Sequence, residues 1–130
     1  MRKSAAVVLL AALLGVLGLV AWVVPASGQP GTITITGTVI DLYCYAQNKE
    51  HTGKDHGASR ECAWACLKYT GMPPGILTSE GRSYEIVGGL VADNNAKIAP
   101  HVNQRVTITG KLGELNGMPT ISANDLTVVK

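Results

Sequence analysis

The sequence predicts a mainly β fold: a small barrel of five short strands, with a Cys/His-containing loop and helix inserted after the first strand and an apolar N-terminal helix in front. Three observations predict it. Isoleucine and valine alternate with threonine or polar residues along Thr32 to Val39 and again along Arg105 to Leu115, the period of two that a half-buried strand requires. Asn116-Gly117, between the second of these segments and a returning apolar run, is a two-residue hairpin signal. Ser79-Glu80-Gly81-Arg82 separates two further short runs in the same way.

At the N-terminus, Arg2 and Lys3 precede a stretch that is uncharged from Ser4 to Ile40 and apolar as far as Val24. A positive head followed by an apolar run is the layout of a secretory signal. Small residues at Ala26-Ser27-Gly28 allow cleavage before Ser27 or Gln29. Ser4 to Val24 is also long enough to cross a bilayer, which takes roughly 20 residues. Residues 1–28 therefore read as a signal peptide or an uncleaved signal anchor, and both readings stay open. Either way the expected location is outside the cytoplasm, in the periplasm or cell envelope, with membrane contact only through residues 4–24 if they are retained. No cysteine lies near a cleavage point, so a lipoprotein is not expected.

Removing residues 1–28 leaves 102 of 130, which is one domain, 29–130, with one modest core. It also removes two of eleven basic residues and leaves nine against nine acidic, so the domain is formally neutral. Lys49, Lys54, Arg60 and Lys68 are interleaved with Glu50, Asp55 and Glu61. Without a basic stripe, nucleic acid is not an expected partner.

Along the domain, Thr32 to Val39 is the first strand. Asp41 to Ser59 is polar, with two glycines and two histidines, and reads as a loop of roughly twenty residues, a length that is usually functional or disordered. Ser59 caps a helix over Arg60 to Tyr69, which Gly71 and Pro73-Pro74 end; insertion 41–72 thus leaves the barrel and returns to it. Gly75 to Thr78 and Ser83 to Val87 form a hairpin, Val91 to His101 a short helix or helical turn, and Arg105 to Leu115 and Ile121 to Val129 the last strands. Five short strands with a helix between the third and fourth is the element order of an OB-fold. The segment from Val106 to Leu112, closing on a hairpin, resembles strands of small exported bacterial OB-like domains. That resemblance implies the barrel over residues 32–130 and little about activity.

All three cysteines and two of the three histidines fall within residues 44–66. Cys62 and Cys66, one helical turn apart, share a face with Tyr69 and can offer two thiolates to one ion. Cys44 leaves the first strand, and the loop can fold a histidine over the helix. His56, six residues before Cys62 with Gly57 and Ala58 between, reaches the first helical turn more cheaply than His51, because fewer loop residues must be ordered. Three sulfurs and an imidazole suit a zinc ion, and their softness also admits copper(I). The expected metal ligands are Cys44, His56, Cys62 and Cys66, and no catalytic residue is assigned. Two other readings remain open: a disulfide from Cys44 to Cys62 or Cys66 in a ligand- or protein-binding adaptor, with one thiol left over, and a redox-active pair in a thiol oxidoreductase.

The run Cys44, His56, Cys62-Ala63-x-x-Cys66, Gly71-x-Pro73 and Gly75-Ile76-Leu77 resembles a pattern of uncharacterised exported bacterial proteins, from which no activity carries over. Cys62-x-x-x-Cys66 with a distant histidine is similar to the ligand set of the copper chaperones serving cytochrome oxidase; their thioredoxin fold is not expected here, so only ligand chemistry is implied. The haem chaperone of cytochrome c maturation also joins an anchor to an OB-fold, but its His-x-x-x-Tyr is missing from this sequence.

The remaining conspicuous residues read as packing. Tyr43, Tyr45, Trp64 and Tyr69 are expected as the bulky core and rim of a domain without phenylalanine, with ligand stacking as the alternative. His101 reads as a cap or surface residue, and Met72 and Met118 as packing residues rather than thioether ligands. Asp41 and Glu61 form no recognisable carboxylate pair. The expected partners are a metal ion or small ligand and an envelope protein.

Overall fold

The computed structural model describes residues 31–52 and 60–130. The expected signal or anchor, the cap at Ser59 and the ligand His56 lie outside the described residues. No helix among the described residues is long and apolar enough to cross a membrane.

The strands are β1 (Thr32–Asp41), β2 (Pro74–Leu77), β3 (Ser83–Val87), β4 (Arg105–Leu115), β5 (Met118–Ser122) and β6 (Leu126–Val128). β1 runs antiparallel to β4 from Thr32↔Lys111 to Thr38↔Arg105, then to β2 from Thr38↔Leu77 to Asp41↔Pro74. β2 pairs antiparallel with β3, β3 parallel with β5, and β5 antiparallel with β4. The path β1-β2-β3-β5-β4-β1 closes, giving a five-stranded mixed barrel of OB-like topology. β6 is an added strand on β4, from Val106↔Val128 to Ile108↔Leu126. The expected single return over Ile121 to Val129 is thus two strands. The break falls at Ala123, whose backbone turns aside to bond Val87 and Leu90.

Alternation decides which face is which. Ile35 and Val39 of β1, with Val106 and Ile108 of β4, point into the barrel with Ile76, Ile86 and Ile121. The threonines between them point out and pair across the strands, Thr34 with Thr109 and Thr36 with Thr107, each at 2.8 Å between hydroxyl oxygens. β1 exchanges β4 for β2 at Thr38. A Cβ on Gly37, next to that exchange, would run into the Leu77 carbonyl. Asn116 and Gly117 both have positive φ, 51° and 78°, as the two-residue turn between β4 and β5 demands.

The insertion holds a short helix where the polar sequence from Asp41 onward predicts loop. α1 (Leu42–Gln47) starts at Asp41, whose carboxylate accepts from the amides of Tyr43 and Cys44. Leu42 and Tyr45 pack with Ile40 and Leu77 in a small cluster outside the barrel wall. Gly75 leaves the space that Leu42 fills. α2 (Arg60–Tyr69) matches the expected helix and buries Ala63 and Leu67 in the main core, beside Leu90, Ile98, Ala99 and Val102. It covers one end of the barrel together with the β3–β4 connection, which is two 3-10 turns, Gly88–Val91 and Ala99–His101, flanking a four-residue turn, α3 (Ala92–Asn95).

Candidate functional site

The site begins with strand alternation at the end of β1. Val39 points inward, Ile40 outward under α1, and Asp41 inward again, where it is fully buried at the barrel end that α2 covers. Oδ1 is committed to the first turn of α1, at 2.9 Å from the Tyr43 amide and 3.2 Å from that of Cys44. Oδ2 has no hydrogen-bond partner. The Cys44 and Cys66 thiols stand beside this carboxyl, near enough to feel its charge and its acceptor oxygens, but neither completes an aligned bond to Oδ2.

Two anchors hold α2 against this point. At its first turn, the Arg60 guanidinium donates to the carbonyls of Val102, at 3.3 Å, and Pro100. At its last turn, Asn95 Nδ2 donates to the carbonyls of Leu67 at 2.8 Å and Met72 at 3.0 Å, and Asn94 Nδ2 donates to that of Lys68. Asp93, Asn94 and Asn95 all have positive φ, from 52° to 62°, a run that costs backbone energy and aims both amides at the helix end. Gly71, at φ 68°, ends the helix as expected.

Cys62 and Cys66 therefore lie on the flank of a fixed helix, next to its buried Ala63 and Leu67. Cys62 is exposed, while Cys44 and Cys66 are half-buried, and all three are free thiols. Burial pushes the Cys44 thiol up to about 11, helped by the Asp41 charge and by Cys66 and Cys62. Cys66 is raised by burial first, then by Asp41 and Cys62. Asp41 and Cys62 thus bear on both Cys44 and Cys66. The raised Cys44 and Cys66 thiols are neutral at neutral pH, and among the described residues no group of three or more His, Cys, Asp or Glu side chains is placed to hold a metal ion.

Of the four expected ligands, Cys44 lies on α1 and Cys62 and Cys66 on α2, and they do not form a group placed to hold an ion; His56 lies outside the described residues. Asp41, buried beside Cys44 and Cys66, was not among the expected ligands. Its signal was the N-cap pattern of Asp41 ahead of Leu42 and Tyr45, spaced to share one helical face. Glu61 is exposed, in contrast to buried Asp41. Of the aromatic residues, Tyr45 is buried under the Lys49 ammonium at 4.2 Å, Trp64 packs on the core with its ring 5.2 Å from that of Tyr69, and Tyr43 and Tyr69 are exposed. Met72 packs against the core, and His101 pairs with Gln104 at 2.9 Å. No family model, curated protein or solved structure matches this chain.

Proposed function

We propose that this chain is an exported metal-binding module of the periplasm or cell envelope, which takes up a zinc or copper(I) ion through Cys44, Cys62 and Cys66 with one further donor. The observation that carries the reading is that two free thiols, Cys44 of α1 and Cys66 of α2, stand beside the buried Asp41 carboxyl, with a third, Cys62, one helical turn from Cys66. A cation is the partner such a group lacks, because an unpaired buried charge is costly and soft thiolates select zinc or copper(I). Binding expels the thiol protons and draws the sulfurs in, which accounts for thiols that are neighbours but not yet a cage. The competing oxidoreductase reading has less support, since exchange chemistry uses a thiol whose pKa is lowered and here Cys44 and Cys66 are raised.

Thermal melting of the reduced protein tests the proposal. Zinc or copper(I) at a hundredfold excess over Kd stabilises by about 2.7 kcal/mol. Replacing either Cys62 or Cys66 by Ser removes most of that gain. A wild-type melting curve that neither metal moves overturns the reading.

A further inference from the structure

We infer that the groove on the outer wall of β1, between α1 and the β2–β3 turn, binds a small organic anion: a carboxylate with a short apolar body, held by Arg105. The cavity there measures about 430 Å³, and no cysteine lines it. Small-molecule sites are typically clefts of roughly 300–1,000 Å³ with an apolar lining and a few converging polar groups. The apolar part here is Tyr45 and Leu77, which belong to the small cluster outside the barrel wall. The polar part is the Arg105 guanidinium with the hydroxyls of Thr38 and Ser79. Strand register brings them together, because Thr38 is the partner of Arg105 on β4 and of Leu77 on β2. Residues directly opposite one another project to the same face, so all three stand side by side on the outside of the barrel.

Charge selects the ligand. Among the described residues Arg105 is the one charged side chain that lines the groove, and no acidic side chain lines it. The ion pair at the neighbouring turn joins Arg82 to Glu80 at 2.6 Å and leaves Arg105 uncommitted. The Lys49 ammonium, 4.2 Å from the centre of the Tyr45 ring, adds to the positive field. A guanidinium meets a carboxylate through two parallel N–H bonds, and the Tyr45 ring and Leu77 side chain suit a body of a few carbon atoms. Asn103, also in the lining, is an independent mark. Its backbone is left-handed at φ 64°, its amide donates to the Val39 carbonyl at 2.9 Å, and its Oδ1 is a buried acceptor with no hydrogen-bond partner among the described residues. Such groups are rare in native folds, and one at the wall of a cavity points to a function there. The larger cavity beside β6, about 570 Å³, has Lys111 and Asp125 of opposite charge in its lining and no aromatic wall, so it selects no such ligand.

Titration of the full chain in detergent micelles with isobutyrate, followed through its backbone amide resonances, tests the inference. Isobutyrate should shift the amides of Thr38, Ser79 and Gly81 saturably, while isobutyramide, of the same shape without the charge, leaves them in place. Arg105→Gln should weaken isobutyrate binding at least about tenfold, since a charge-assisted bidentate pair is lost. The backbone bond from the Val129 amide to the carbonyl of residue 105 does not depend on that side chain, and an unchanged melting temperature checks that the variant folds. Arg105→Lys gives a second variant: it keeps the charge but not the fork, and should also bind more weakly than wild type. Cys44→Ser should bind isobutyrate as the wild type does, which separates this groove from the proposed metal site. An equal response to isobutyramide or to inorganic phosphate, the absence of a saturable shift with isobutyrate, or full affinity in Arg105→Gln overturns the inference.

Discussion

At the scale of single residues, the Cys44 thiol ties the site to pH. Because burial and the Asp41 charge raise it to about 11 from an ordinary 9.0, the folded protein favours its neutral form. That stabilisation is complete below pH 9 and is lost as pH rises through about 11. Melting curves of the metal-free, reduced protein should therefore fall between these two values, and Cys44→Ala should flatten the fall. The metal-loaded form responds in the opposite sense. Each thiol proton that binding releases strengthens the apparent zinc affinity by up to about tenfold per pH unit below the thiol pKa. The cysteines were legible in the sequence because their type and clustering carry the signal. Asp41 was not, because its meaning comes from inward alternation on β1 and from the helix that covers it.

At the scale of elements, the position of α2 depends on residues far from it in sequence. Asn95 is 5% exposed and satisfies two carbonyls at the end of the helix, so Asn95→Ala strands both acceptors. Urea unfolding should show a loss of about 1–3 kcal/mol for this substitution, the cost of unsatisfied buried polar groups. A loss below half a kilocalorie per mole would mean that the helix is held by Ala63 and Leu67 packing alone. The bounds of α2 could be read directly, from the start signal at Ser59 and the stop at Gly71 and Pro73-Pro74. α1 could not, since six residues are too few to show a helical period, and its stability comes from the Asp41 cap and the pocket above Gly75. The left-handed Asp93-Asn94-Asn95 turn was equally hidden, because its conformation is imposed by the helix end it serves.

At the scale of the whole molecule, closure of the barrel relies on close approaches that only glycine permits. Gly37 packs against the Leu77 carbonyl and Gly110 against that of Ser122, so a methyl group at either must push strands apart. Gly37→Ala and Gly110→Ala should each cost about 1–3 kcal/mol in urea unfolding, as overpacking does. The five-strand order was legible because each hairpin carries its own turn residues and each strand its alternation. The parallel β3–β5 pairing and the separate β6 are long-range consequences that no local pattern announces. In this arrangement an ion held by Cys44, Cys62 and Cys66 would tie both inserted helices to the barrel end. The most direct test of that claim is a thiol count on the reduced, zinc-loaded protein before and after chelation. The account predicts one bound zinc with all three thiols protected from a thiol reagent, and three reactive thiols once the metal is removed. Three reactive thiols in the presence of zinc, or one thiol whether or not metal is present, would contradict it.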